Sequence, residues 1–166
     1  AIVATAYGAN FQDLKSSGAE GVFSLFLGVI LSFSLGALIA IFFGYTDAIS
    51  ITTIGAGAVT FVVGPITGSA IGAGSEVIAL SVAAGLVKSI LVMTMTPLVA
   101  RRIVLNNPKS AMVFGGLMGT NSGVAAGLAA VDPKLVPYGA MTATFYTALG
   151  CLIVPSILFF IVNLFY

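Results

Sequence analysis

The chain has 166 residues, of which 59% are hydrophobic and 7% charged, and its formal net charge is +1. A soluble domain carries about a quarter charged residues, so this much apolar surface belongs in a lipid bilayer and a soluble enzyme is excluded. With no charged block there is nothing to hold nucleic acid, and the absence of His beside a single Cys excludes a disulfide framework and a Cys/His transition-metal site.

The opening "AIVATAYGAN" lacks a basic start and a cleavage site, so it is not a signal peptide. It reads as the tail of a span belonging to a longer protein. "SSGAE" at 16–20 reads as the polar start of the next span. About five weakly charged or uncharged segments follow, each near the ~20 residues that a bilayer requires. The first, 21–43, is a plain helix whose only polar residues are Ser24, Ser32 and Ser34. The second, 51–75, is interrupted by Gly64, Pro65, Gly68, Gly72 and Gly74. The third, 77–100, contains Lys88. The fourth, 110–131, contains "GGLMGTNSG". The fifth, 138–166, is long enough to tilt or to kink at Pro155. Alternation at period 2 is absent. The expected fold is therefore an all-α integral membrane protein, one transmembrane domain over 1–166, with two Gly/Pro-interrupted helices that are broken or re-entrant.

Arg101, Arg102 and Lys109 share the loop between the third and fourth segments, which puts loop 101–109 in the cytoplasm by the positive-inside rule. If the second and fourth segments cross fully, the turns at Glu76 and at 132–134 lie on the other side. If the second re-enters, the first segment reverses. An internal repeat is also expected. "TGSAIGAG" (67–74) before a helix ending at Pro97 echoes "NSGVAAGLA" (121–129) before a helix passing Pro155. Gly68 to Pro97 is 29 steps and Gly123 to Pro155 is 32, the extra three matching "DPK" at 132–134. Glycine-rich packing spans also produce such an echo by chance. Paired interruptions at matching positions are the mark of a transporter's binding site.

Within hydrocarbon a broken backbone is tolerated only inside protein or against a water-filled cavity. Pro65 removes an N–H and clashes with the preceding turn, and Gly64 and Gly68 permit an unwound link. Half-helix ends then offer N–H groups to anions and carbonyls to cations. The candidate substrate contacts are Gly64, Thr67, Gly68 and Ser69 at one break and Thr120, Asn121, Ser122 and Gly123 at the other. Glycines spaced by four, at 64/68/72 and 119/123/127, also suit close helix packing. That alternative leaves Pro65 and the polar cluster at 120–122 without a purpose.

Lys88 has eleven uncharged residues before it in its segment and twelve after. A charge at mid-bilayer costs about 3 kcal/mol on insertion scales and marks a functional position. It suits a cationic contact for an anionic substrate; the alternatives are snorkelling to an interface or an ion pair with another helix. Ser81, Gly85, Lys88 and Thr96 fall near one helical face. Glu76 is about 18 Å away along a helix. Ser75, Glu76, Thr120 and Asn121 are candidate Na⁺ ligands, although Glu76 better suits capping of a helix start. Asp47 and Asp132 read as loop or cap acids. Ala140, Thr144, Thr147 and Cys151 form a small-residue packing face.

"TTIGAGAVTFVVGPITGSAIGAGSEVIALSVAAGLVKSILVMTMTPLVA" and "NPKSAMVFGGLMGTNSGVAAGLAAVDPKLVPYGAMTATFYTALGCLIVPS" resemble the larger, M-type subunit of sodium-dependent malonate transporters, over about residues 50–160. The resemblance implies a secondary transporter subunit and not an enzyme, in the bacterial inner membrane, beside a smaller L-type membrane subunit. It would import malonate with Na⁺ as coupling ion and no other cofactor. It further implies that the chain corresponds to the C-terminal part of a longer subunit. Alternating access would move the broken-helix core against a scaffold, for which segment 21–43 is the candidate. The alternatives are the membrane subunit of a sodium-pumping decarboxylase and carriers of citrate, pyruvate or bicarbonate. A rotor subunit would need a mid-helix carboxylate, where this chain has Lys88.

Overall fold

The first apolar segment folds as one unbroken helix, α1 (Gly18–Phe42), in a computed structural model that describes residues 18–166. The readings of 1–10 and of 16–17 lie outside the described residues. At 1.5 Å per residue α1 is about 37 Å long, enough for a hydrocarbon core of about 30 Å. Leu25, Val29, Phe33, Ala37 and Ala40 recur every three or four residues and are buried. Phe23, Phe26, Ile30, Leu35 and Leu38 on the other faces are exposed, as suits lipid contact.

The second segment is a helical hairpin. α2 (Ala48–Val59) begins at Asp47, whose carboxylate accepts the Ser50 N–H at 2.7 Å. It stops at Thr60, in extended backbone. α3 (Val63–Ile71) follows and ends at Gly72, whose φ of 81° is a left-handed helix stop. A Cβ at Gly64 would meet the Gly57 Cα, and one at Gly68 would meet the Thr53 side chain. These pairs move apart along the chain from the turn, so α3 runs back antiparallel to α2. The break therefore lies at residues 60–62, before Pro65. Pro65 occupies the first turn of α3, where a missing N–H costs nothing. Gly64 and Gly68 are helical. Their role is close approach, not the unwinding expected of them.

α4 (Ser75–Val99) is a 25-residue helix with Pro97 near its end. α5 (Pro108–Met118) starts from a capping box between Asn107 and Ser110 and stops at Gly119, φ 69°. α6 (Asn121–Ala129) follows Thr120 directly. Gly139 lies against both Ala111 and Leu128. Those two residues would be about 25 Å apart along a straight helix, so this segment also folds back. A short 3₁₀ turn (Pro133–Leu135), capped by Asp132, leads into α7 (Val136–Ile153). At Pro155 the helix widens into a π-turn (Val154–Leu158) before α8 (Phe159–Val162), as expected where a proline removes an interior N–H. Among the described residues three stretches are long and apolar enough to cross a bilayer: Glu20–Phe42, Ser75–Val99 and Pro133–Val162.

The described residues form two units. The first takes α1 as far as Gly28 and then Ser89–Tyr146. Its core is built on Val92, Leu105, Phe114, Val124, Leu128 and Ala143. The Lys109 ammonium pairs with the Glu20 carboxylate at 3.0 Å. Ala100, Arg101 and Asn106 share a small cavity with Val131 and Asp132. The turn at 132–134 thus stands at the basic loop's end of this unit. The opposite placement required full crossing, which the fold-back removes. The second unit is Val29–Lys88 with Thr147–Tyr166. There α2 and α3 pack against the C-terminal stretch, and Gly150 sits against Val59 and Val63.

The chain repeats one pattern, a hairpin and then a long helix. Asp47 and Asn107 each cap a serine three residues on. α3 and α6 have nine residues each and start 58 positions apart, and Pro97 and Pro155 are also 58 apart. The register therefore aligns 63–71 with 121–129 and needs no insertion at "DPK". The glycine strings that suggested a shifted register belong to packing faces, whereas the breaks are what correspond.

Candidate functional site

In the second unit the chemistry gathers at the turn between α2 and α3. Thr60 Oγ1 accepts the N–H groups of Val62 and Val63, at 3.3 and 3.1 Å. Those donors of the α3 start are thereby satisfied, and the anion-attracting group here is a side chain. Lys88 Nζ donates to the Val59 carbonyl and to Ser32 Oγ, both at 2.9 Å. Val59 ends α2, where the helix dipole favours a cation. The ammonium points inward to these oxygens, which sets aside snorkelling. It is held there by packing of α4 on the hairpin. A Cβ at Gly57 would strike the Ser81 backbone, one at Gly64 the Ser81 side chain, and one at Gly85 the Phe61 backbone. Thr67 is fully buried and its hydroxyl, like that of Thr52, has no hydrogen-bond partner among the described residues. Ser69, Ser75 and Glu76 are exposed, the last two in the first turn of α4.

In the first unit the turn between α5 and α6 holds a second polar cluster. Thr120 is the residue before α6, yet its hydroxyl does not cap that helix. It shares a hydrogen bond with Ser89 Oγ, and both residues are buried. Asn121 Nδ2 donates to Thr144 Oγ1 at 3.3 Å, and Asn121 Oδ1 is buried without a partner among the described residues. Gly123 packs on the Ser89 backbone and Gly127 on Thr96, while Ser122 is exposed. Tyr146 is fully buried; its hydroxyl donates to the Gly28 carbonyl at 3.1 Å, and its ring lies against Gly119. Of the expected residues, Thr120, Asn121 and Gly123 are brought together here, and Gly64, Thr67 and Gly68 share the other hairpin.

Ser32, Thr60, Ser89 and Tyr146 were not among the site residues expected from the sequence. Thr60 carried a signal, a threonine just ahead of an interrupted apolar run. Ser89 carried none, because nothing local links it to Thr120. The large cleft of the first unit, about 790 Å³, is lined mainly by apolar residues such as Leu91, Met95, Val113 and Leu117. Its two charged groups, Glu20 and Lys109, pair with each other. It is unsuited to a small anion.

Two helix–break–helix hairpins, each packed on glycines and followed by a long apolar helix, define an all-α, multi-pass membrane protein with the broken helices that secondary transporters use. The family pattern of the malonate/sodium symporter MadM subunit matches residues 1–166, and the chain belongs to that family. The family is one of transporter subunits, and malonate and sodium are the species that its name gives as carried. No curated protein and no solved structure matches the chain.

Proposed function

We propose that the chain is the M subunit of a symporter that takes up malonate with Na⁺ by alternating access across the bacterial inner membrane, with loop 101–109 in the cytoplasm and a smaller L-type subunit as partner. The observation that carries the reading is the Lys88 ammonium, held inside an apolar segment at the end of α2 by two neutral oxygens. An arriving carboxylate can accept a charge-assisted hydrogen bond from that ammonium. Gly64, Thr67 and Gly68 shape the hairpin beside it, and the unpartnered Thr67 hydroxyl is available to a polar ligand. Thr120 closes the corresponding break of the other repeat, and Asn121, Ser122 and Gly123 are the first residues of α6 behind it. Co-transport follows when each ligand raises the affinity for the other, a coupling that is reciprocal by linkage.

The test is uptake of labelled malonate by proteoliposomes that hold the full-length protein and its partner subunit. Accumulation driven by an inward Na⁺ gradient, and competed by malonate but not by citrate, is expected. No gradient-driven uptake by an intact complex refutes the reading.

A further inference from the structure

The unpartnered Asn121 Oδ1 of the first unit is the strongest unexplained polar atom outside the Lys88 region. Its direction is fixed by its neighbour. Thr144 Oγ1 donates its only proton to the Ala140 carbonyl at 2.9 Å, so towards Asn121 it can only accept. The amide therefore turns its Nδ2 to Thr144, and the carbonyl oxygen faces the other way. A buried carbonyl oxygen without a donor is costly, a cost removed when a donor or a cation reaches it. Thr120 Oγ1 stands at the same turn, spared from capping α6 and joined to Ser89 Oγ. Hydroxyl and amide oxygens are ligands for a hard cation. All three are neutral, and a divalent ion would want carboxylates. The end of α5 and the start of α6 meet at this turn, so their opposite partial charges offset one another there. The second repeat also places neutral Tyr146 where the first has Lys88, 58 positions earlier, so no ammonium occupies that position.

We propose that Asn121 Oδ1, Thr120 Oγ1 and Ser89 Oγ bind the coupling Na⁺, with Thr144 as the residue that orients Asn121. This rests on the sodium/malonate reading above, and it leaves exposed Ser75 and Glu76 out of the ion site.

The test uses the purified full-length protein without malonate. Na⁺ is titrated at constant ionic strength against choline, with the unfolding midpoint and retention of radiolabelled Na⁺ as readouts. Na⁺ should raise the midpoint where K⁺ does not. Asn121→Ala should raise the half-saturating Na⁺ concentration about tenfold or more, and Thr144→Val, which keeps the side-chain shape, by about tenfold. Thr94→Ala, at an exposed hydroxyl bonded within its own helix, should not change it. A parent protein without a Na⁺-specific response overturns the proposal, as does parental half-saturation in Asn121→Ala. If Asn121→Ala does not fold, parental half-saturation in Thr144→Val overturns it instead. Because malonate is absent, loss of this assignment with Na⁺-driven uptake intact leaves the symport reading standing. Na⁺ binding without malonate uptake sinks the symport reading alone.

Discussion

Lys88→Met removes the ammonium and keeps most of the aliphatic stem. The structure sets the size of the effect on folding. The amine makes hydrogen bonds to Ser32 and Val59, and each bond to a charged group is worth about 1.5–3 kcal/mol. Removing the charge from an apolar span recovers about 3 kcal/mol. Two such bonds exceed that recovery by up to about 3 kcal/mol, so the variant should still insert and fold. Transport is different, because nothing replaces the lost charge against a carboxylate. One charge-assisted contact of about 1.5–3 kcal/mol is about 10- to 150-fold in affinity. The assay is the malonate dependence of uptake at saturating Na⁺, read with the unfolding midpoint of the same preparation. Half-saturation should rise by that factor while the midpoint moves little. Lys88→Arg, which keeps the charge, should recover part of the affinity. A folded Lys88→Met with parental half-saturation would show that the lysine only ties α2 to α1 and α4, and the substrate role would fall.

The glycine contacts predict a graded series. Gly85→Ala drives a Cβ into the Phe61 backbone, which no rotamer change relieves, and should cost about 1–3 kcal/mol; Gly74→Ala meets nothing and should be neutral in the same thermal scan. Gly119→Ala combines a left-handed φ with a clash on the Tyr146 ring and should be worse than Gly85→Ala. Asn107→Ala removes the capping-box bond that its side chain accepts from the Ser110 N–H, leaves its own N–H to Ser110 Oγ, and should lower stability by about 1 kcal/mol, whereas a larger loss would mean that the loop before α5 does more than start a helix.

The all-α membrane class and the unbroken first helix were legible because composition and charge-free length depend on no partner. The existence of both breaks was legible too, but the place of the first was not. Pro65 is the strongest breaker in its segment, yet a proline is tolerated in a first turn, and the chain turns at Thr60, five residues earlier. The sequence favours unwinding over packing at Gly64 and Gly68, and the facing Gly57 and Thr53 decide for packing instead. Lys88 stood out because charge is rare in a span. Ser89 was invisible for the opposite reason, since one serine in an apolar helix is ordinary until Thr120 is found beside it.

The aligned repeat turns these separate residues into an argument about mechanism. Lys88 and Tyr146 occupy corresponding positions, and each reaches α1 and the end of its own repeat's first helix: Lys88 through Ser32 and Val59, Tyr146 through Gly28 and Gly119. The shared geometry accounts for a side chain that ties a broken hairpin in place. It does not account for the difference in charge. If tying were the whole purpose, a neutral group would serve both repeats, and the first would avoid the cost of about 3 kcal/mol of an ammonium in a span. The charge is kept in one repeat alone, next to a hairpin whose N–H groups at Val62 and Val63 are already taken. The other repeat keeps a neutral phenol and turns a bare amide oxygen inward at Asn121. On the reading proposed above, one break takes the anion and the other the cation, the division of labour that coupled uptake of a dianion with Na⁺ demands.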